Sequence, residues 1–406
     1  MTSTRTRANG EGSIYPYKNG YAAYVWITTP NGNRRRKYVY GGGREEVHDK
    51  WIKLQQQASE GPMVTKAPTV GAYLDYWLRE IVDPNLAPKT VDNYHRFVRL
   101  YILSYLGSMS LARLRSQDAQ RWINKVAQTC QCCAQGKDAV RAKKKQRCCA
   151  LGNCCNDRLS ARTLKDVRDC FRSALNCAVN DEIISRNVIK TIKLPAVRKK
   201  RGLRWSSEQA RQFLASARQD NDPYYAAYVL ILIEGLRKGE MLGLPYTSVD
   251  FDRQTLEIGY QLQRVGRKLL HRQTKTEGSD AELPYPAIVG TALRARLTDR
   301  DRDKHVAADA WQDSNLMFTT KYGTPIEPRN FDRSWHARIA KAGVPRITVH
   351  DGRRTCGSLL ADLDVHPRVA MAILRHAQFA ITMEIYTEVS DAATRAGLKK
   401  LGDSLA

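Results

Sequence analysis

YYAAYVLILIEGLRKGEMLGL, residues 224–244, decides how the second half of the chain folds. Tyr224 to Glu234 is apolar nearly all round and shows no polar stripe at helical spacing, the mark of a helix buried on every side. The chain turns at Gly235, and Arg237 emerges at a helix junction with Glu240 three residues on, able to orient it. Around this stretch residues 204–406 form the largest unit, mostly helical with one β segment. Short strands are predicted at Leu256–Ile258, Gln261–Leu270 and Ala281–Leu283. Further helices are predicted at Ala287–Leu297, Pro328–Ala342, Thr355–Leu363, Pro367–Leu374 and Ile381–Tyr386.

Upstream, Ile189 to Leu203 (IKTIKLPAVRKKRGL) has no apolar periodicity and reads as an interdomain linker, with Lys199, Lys200 and Arg201 near its end. Before it, residues 67–195 read as an all-α domain. Val70, Tyr73, Leu74, Trp77, Leu78 and Ile81 share one face of a helix that Pro84 and Pro88 break, and Thr90 caps a second one leading to Tyr105. Leu111 to Val126 and Ser160 to Ile184 supply two more, separated by an irregular insertion at 128–157. Residues 1–62 read as a small β-rich module. Alternating runs at Tyr15–Tyr17, Tyr21–Thr28 and Lys37–Tyr40 are separated by turn signals and followed by a helix at Glu45–Ala58. The chain is therefore expected to be multidomain: β-rich module, all-α domain, and a mainly α (α+β) domain with a small antiparallel sheet.

A balance of 66 Lys and Arg against 41 Asp and Glu, +25 overall, is unevenly spread. Residues 67–200 carry 25 basic and 11 acidic side chains, more than half of the excess. Charge so localised points to a polyanion, because neutralised phosphates release counterions and drive binding. Arg34, Arg35, Arg36 and Lys37 on the second turn and third strand suit a sheet entering a DNA groove, or equally a charged edge that guards against aggregation. Lys143, Lys144 and Lys145 lie in the irregular insertion. The first residues, MTSTRTRANGEG, carry no apolar segment, and the longest apolar run, Tyr224 to Ile233, is far too short to span a bilayer. The expected location is the cytosol, with no membrane partner.

Seven of the ten cysteines crowd into the insertion: Cys130, Cys132, Cys133, Cys148, Cys149, Cys154 and Cys155. A reducing compartment argues against disulfides, and thiolates this dense suit a structural zinc held by four of the seven. The grouping CQCC, CC, CC does not follow the usual paired CxxC spacing, so a redox-sensitive loop or free thiols stand as alternatives.

Five motifs of the last unit converge on a single kind of chemistry. They are GLRKGEMLGL at 235–244, TKTEG at 274–278, HDGRRT at 350–355, LRH at 374–376 and ITMEIYTEV at 381–389. Singly, each has a plainer explanation: Arg237 as a helix-end charge, Lys275 as a solvated turn residue, His350 and His376 as structural histidines, Tyr386 as core. In this order and spacing they resemble the tyrosine recombinase (phage integrase) family. The upstream helical unit is similar to that family's core-type DNA-binding domain, and the β module to the arm-site domain of the larger integrases.

The resemblance implies a site-specific recombinase that cleaves and rejoins DNA through a 3′-phosphotyrosine bond, without ATP, catalytic metal or other cofactor. Arg237 and Arg353 would hold the phosphate, each with a rigid fork of donors. His350 and His376 would add hydrogen bonds, with His350 assisting proton transfer from Tyr386, the nucleophile. Lys275 would protonate the leaving 5′ oxygen, Lys268 being a rival in the same β segment. Implied partners are double-stranded DNA attachment sites, a tetramer of this chain on DNA, and an accessory excision or bending factor. The tail, Ala392 to Ala406, is expected to dock on a neighbouring subunit or within its own. Gly352 and Arg375 depart from the family's usual Leu and Gly, so a loosened helix start and a phosphate contact or altered loop are expected there. A relaxing topoisomerase with the same chemistry and a non-catalytic DNA-binding regulator are the competing functions.

Overall fold

A computed structural model of the chain describes residues 14–28, 32–61, 67–197, 202–274 and 281–375, with a few isolated positions beyond. The chain divides into two compact units, Met1–Val197 and Arg198–Ala406.

The first unit begins with an antiparallel sheet in the order β1 (Tyr15–Tyr17), β2 (Gly20–Thr28), β3 (Arg34–Gly41), followed by α1 (Arg44–Glu60). Strand period decides its two faces. Ala23, Val25 and Val39 pack with Val47 and Trp51 of α1. The opposite face leaves Trp26, Tyr38 and Tyr40 exposed. β3 is thereby split: Arg36 pairs with Trp26 and lies 4.7 Å from the ring centres of both Tyr24 and Trp26, whereas Arg35 and Lys37 pair with Ile27 and Val25 on the helix side. The four basic residues of the sequence run therefore do not act as one patch.

Next comes a helical bundle. α2 (Val70–Tyr76), capped by Thr69, runs on through a π-turn at Trp77–Val82 and a last turn at Asp83–Asn85. Contrary to expectation, Pro84 does not break this helix. The π-turn's closing bond, Asp83 N–H to Leu78 O, lies ahead of a proline that needs no donor. The second helix, α3 (Pro88–Phe97), starts two residues before Thr90, with Pro88 in its first turn where a missing N–H costs nothing; it continues through Val98–Ile102 to Leu103–Leu106. α4 (Ser116–Gln128) and α5 (Ala161–Asn180, capped by Ser160) complete the bundle. The helix predicted over Leu111 to Val126 is α4, but it begins later, at Ser116, after a separate 3₁₀ turn at Leu111–Arg113. The predicted linker is also shorter than expected, because Val188, Ile189 and Ile192 are buried in the bundle core.

In the second unit α6 (Ser207–Gln219) packs beside α7 (Tyr225–Ile233), in which every residue from Ala226 to Leu232 is buried. Trp205, Phe213, Tyr228, Phe331 and Trp335 fill the centre, with ring centroids 4.8 Å apart for Trp205 and Phe213 and 5.6 Å for Tyr228 and Trp335. Burying each such ring stabilises by roughly 1.5–3 kcal/mol. α8 (Lys238–Leu242) then leads into β4 (Val249–Asp250), β5 (Thr255–Ile258), β6 (Tyr260–Val265), β7 (Lys268–Gln273) and β8 (Ala281–Pro284). β4-β5-β8 form one small antiparallel sheet, and β6-β7 form a hairpin. The run Gln261–Leu270 reads as one strand, but Gly266-Arg267 reverses it. α9 (Ala287–Ala307), α10 (Pro328–Ala342), α11 (Val349–Asp362) and α12 (Pro367–Leu374) follow. α9 outruns its predicted end because buried Arg296 and Arg300 extend its packed face. The predicted helix at Ile381–Tyr386 and the tail from Ala392 lie outside the described residues, apart from isolated positions. Among the described residues no helix is long and apolar enough to cross a membrane.

Candidate active site

The site assembles where α8, α11 and the end of α12 converge under α7. Gly235 allows this convergence: its φ is +59°, and a Cβ there would lie 2.6 Å from Leu374. The turn it makes lets Arg237 serve as the N-cap residue of α8. Glu240, at the third position of that helix, accepts from the Arg237 backbone N–H at 2.9 Å and from Arg237 Nη1 at 2.6 Å.

α11 begins with a reciprocal cap in which Asp351 N–H donates to Thr348 Oγ1 at 3.2 Å and Thr348 N–H donates to Asp351 Oδ2 at 3.0 Å. Asp351 is thereby committed to the helix end, while His350 and Arg353 are left to the site. Arg353 is buried and donates from Nη1 to Gly235 O at 2.5 Å and from Nη2 to Leu374 O. Burial, followed by the charges of Arg237 and Arg375, pushes its guanidinium down to about 9, which leaves it cationic at neutral pH. Gly352 does not loosen the helix start as expected. A Cβ there would lie 2.9 Å from Ile231 and 3.1 Å from Trp335, so its absence lets α11 press against α7 and α10.

Arg375 is the main surprise. It ends α12 in the left-handed conformation, φ +49°, with its side chain buried. Its Nη2 donates to Glu240 Oε2 at 2.7 Å, and its carbonyl accepts from Arg237 Nη2 at 3.3 Å. The expected phosphate contact is thus replaced by an internal role, in which one carboxylate holds two arginines. Burial opposes ionisation of Glu240, yet Arg375 and Arg237 outweigh it and hold the carboxyl below the usual range. Nearby Glu234 is buried, and loss of hydration raises it to about 7 against the opposing pull of Arg375. Arg237 and Arg375 therefore pair with one firmly ionised carboxylate, and Arg353, close enough to feel both of their charges, adds a third cation, an arrangement suited to an anion. His350 lies at the surface beside them. Partial loss of hydration, then Arg353 and Arg354, lowers its pKa below the ordinary 6.5, so it is a neutral imidazole at physiological pH.

Three of the expected catalytic residues, Lys275, His376 and Tyr386, lie outside the described residues, as do Lys199, Lys200 and Arg201. Ahead of Lys275, β7 ends at Gln273 opposite Tyr260, Thr274 N–H bonds Gly259 O at 2.9 Å, and His271 Nε2 lies 2.8 Å from Gly243 O just past α8. The rival Lys268 sits at the far end of the hairpin, opposite Val265. Lys143, Lys144 and Lys145 form an exposed 3₁₀ turn within the first unit. Sequence reasoning flags Arg375 without its carboxylate partner and misses Glu234 altogether. Only the substitution of arginine for glycine ahead of His376 signals the former, and nothing local signals that Glu234 becomes buried.

Two family models match the chain. That of the phage integrase family covers residues 204–393, and that of the phage integrase N-terminal SAM-like domain covers residues 69–127. The chain is 25% identical over 395 residues to a tyrosine recombinase XerC-like protein of Caldanaerobacter subterraneus subsp. tengcongensis, covering 92% of this chain and 94% of that one. It is 22% identical to an integrase of Streptomyces ambofaciens, covering 94% and 93%. Its fold is similar to the integrase of transposon Tn1549 in complex with a circular intermediate DNA, with TM-score 0.63, 19% identity, and 82% of this chain and 100% of that one covered.

Proposed function

The chain belongs to the phage integrase family of tyrosine recombinases, site-specific DNA recombinases, and we propose that it acts on duplex DNA of a mobile element with Tyr386 as nucleophile. The observation that carries the proposal is the meeting of three cations near one carboxylate: Arg237 and Arg375 bond Glu240, and Arg353 lies within reach of their charges. A scissile phosphate bound there would bring the missing negative charge. As Tyr386 Oη attacks phosphorus, charge builds on the two non-bridging oxygens, and the forks of Arg237 and Arg353 stabilise it. Arg237 is the more exposed of the two and takes the outer oxygen; Arg353 is fixed by two carbonyls and supports from beneath.

His350, neutral with its lowered pKa, accepts the tyrosine proton. Lys275 donates a proton to the departing 5′ oxygen, and His376 adds a further hydrogen bond to the phosphate. The 3′-phosphotyrosine bond preserves the phosphodiester energy, so a second 5′ hydroxyl can reverse the step without ATP. No cofactor takes part in this chemistry. The β module, residues 1–62, binds arm sites through the exposed face that carries Arg36, Trp26 and Tyr38; residues 67–195 and 204–406 grip the core site, and four chains act together on two sites.

A nicked suicide DNA carrying the cognate site tests this directly. The native protein is expected to form a covalent adduct, and Tyr386→Phe to bind the same DNA without one. An adduct from the Phe variant would remove Tyr386 from its role. Products joined between two added sites would separate recombination from simple relaxation.

A further inference from the structure

The insertion between α4 and α5 has a buried apolar cluster made only of cysteine: Cys130, Cys132 and Cys148, with Cys149 packed against them. All ten cysteines of the chain are free thiols. Their sulfurs sort into two groups of four, Cys130, Cys133, Cys149 and Cys154, and Cys132, Cys148, Cys149 and Cys155, each with its sulfurs within 4.8 Å of one another. Cys149 belongs to both. We propose that these seven thiolates bind two zinc ions in a binuclear cluster bridged by Cys149.

The geometry fits tetrahedral thiolate coordination. A Zn–S bond of about 2.3 Å gives a tetrahedron whose sulfur–sulfur edges are about 3.8 Å. Within the groups, Cys132 and Cys148 are 3.8 Å apart, Cys133 and Cys154 3.7 Å, and Cys149 and Cys155 3.8 Å. Cys133 and Cys149, at 2.9 Å, must separate to admit an ion, yet they are well outside the roughly 2.05 Å of a disulfide. The doublets also explain a spacing unlike paired CxxC motifs. Cys132-Cys133 and Cys154-Cys155 each send one sulfur to either centre, and Cys148-Cys149 sends one to the second centre and one to both.

The surroundings support the same assignment. Asp138, fully buried, accepts from the backbone N–H groups of Cys148 at 2.9 Å and Ala150 at 3.1 Å, which fixes the loop carrying the bridging residue. Gln131 N–H bonds Asp157 O at 2.7 Å and ties the start of the cysteine segment to its end. Seven thiolates around two dications leave a net charge of −3. Lys137, Arg141, Lys143, Lys144, Lys145, Arg147 and Arg158 of the same segment more than offset it. Each ion would have four protein ligands and no open position, which makes the site structural and not catalytic. Its role is to order a segment with no other core and to hold the Lys143–Lys145 turn at the surface. Binding releases the thiol protons to solvent, so occupancy falls with acid.

The test is the zinc content of the full chain, purified under reducing conditions without chelator, by native mass spectrometry and elemental analysis. Two zinc ions per chain are expected, and NMR of the cadmium-substituted protein should give two resonances coupled to each other through the shared sulfur. One ion per chain, none, or uncoupled resonances would overturn the bridged pair. Cys149→Ser is expected to hold fewer than two ions, whereas Cys170→Ser in α5 keeps both; two ions retained by Cys149→Ser would also overturn it. These measurements use no DNA, so their failure leaves the recombinase proposal standing.

Discussion

Glu240→Gln keeps the side chain's shape and removes its charge. The carboxylate accepts three bonds from two arginines: Arg237 N–H at 2.9 Å, Arg237 Nη1 at 2.6 Å and Arg375 Nη2 at 2.7 Å. The two arginines do not suffer equally. Arg237 has 40% of its side chain exposed and can recover hydration, so its lost ion pair costs little. Arg375, with 2% exposed, cannot, and its charge would be left buried beside an amide. Breaking a buried pair in this way costs about 3–5 kcal/mol. For a unit of this size that lowers Tm by about 6–20 °C.

Arg375→Gly should behave quite differently. It leaves Glu240 paired with Arg237 and puts glycine at φ +49°, which recovers roughly 1 kcal/mol of left-handed strain. A net change within about 1 kcal/mol is expected, and the double variant should be about 2 kcal/mol more stable than Glu240→Gln alone. Urea unfolding of the full chain without DNA measures all three, and adduct formation on the suicide DNA reports the accompanying displacement of Arg237. A loss below about 1 kcal/mol in Glu240→Gln, or a double variant no more stable than it, would refute the claim that Glu240 chiefly neutralises Arg375.

Single-turnover cleavage should fall on the acid side with a midpoint below the ordinary histidine value of 6.5, because His350 must be neutral to accept a proton and its pKa is lowered. His350→Gln is expected to slow cleavage by about 10²-fold or more and to remove that limb, and a limb that persists in the variant would assign the base elsewhere. Glu234, raised to about 7 chiefly by burial, keeps its proton in the folded state while the unfolded chain loses it near 4.5. The folded state therefore binds more protons between those values, and stability declines as pH rises through that window. Glu234→Gln should abolish the decline and gain on the order of 3 kcal/mol at about pH 8 with little change at about pH 4, read by denaturant titration at both; equal gains at the two pH values would contradict a buried proton.

Much of this is legible locally. Helices α10 and α12 begin and end where Pro328, Pro367 and the apolar spacing place them, because proline at a first turn and the end of an apolar face act within a few residues. The hairpin β6-β7 escapes a local reading because Gly266-Arg267 is a weak turn signal inside a continuous run of strand-forming residues. Pro84 misleads for the opposite reason, since a strong local breaker is overruled by a π-turn that the bundle's packing sustains.

The sequence by itself determined the buried helix of residues 225–233, the order of the five motifs and the identity of the arginines, all of which depend on residue type and short spacing. Only the tertiary structure decided that Arg375 turns inward to a carboxylate 135 residues earlier, that Glu234 is buried with a raised pKa, and that seven cysteines divide into two groups around one. A charge's partner and a thiol's neighbours are set by where distant segments meet, and that distance is fixed by the packed core and not by the local chain.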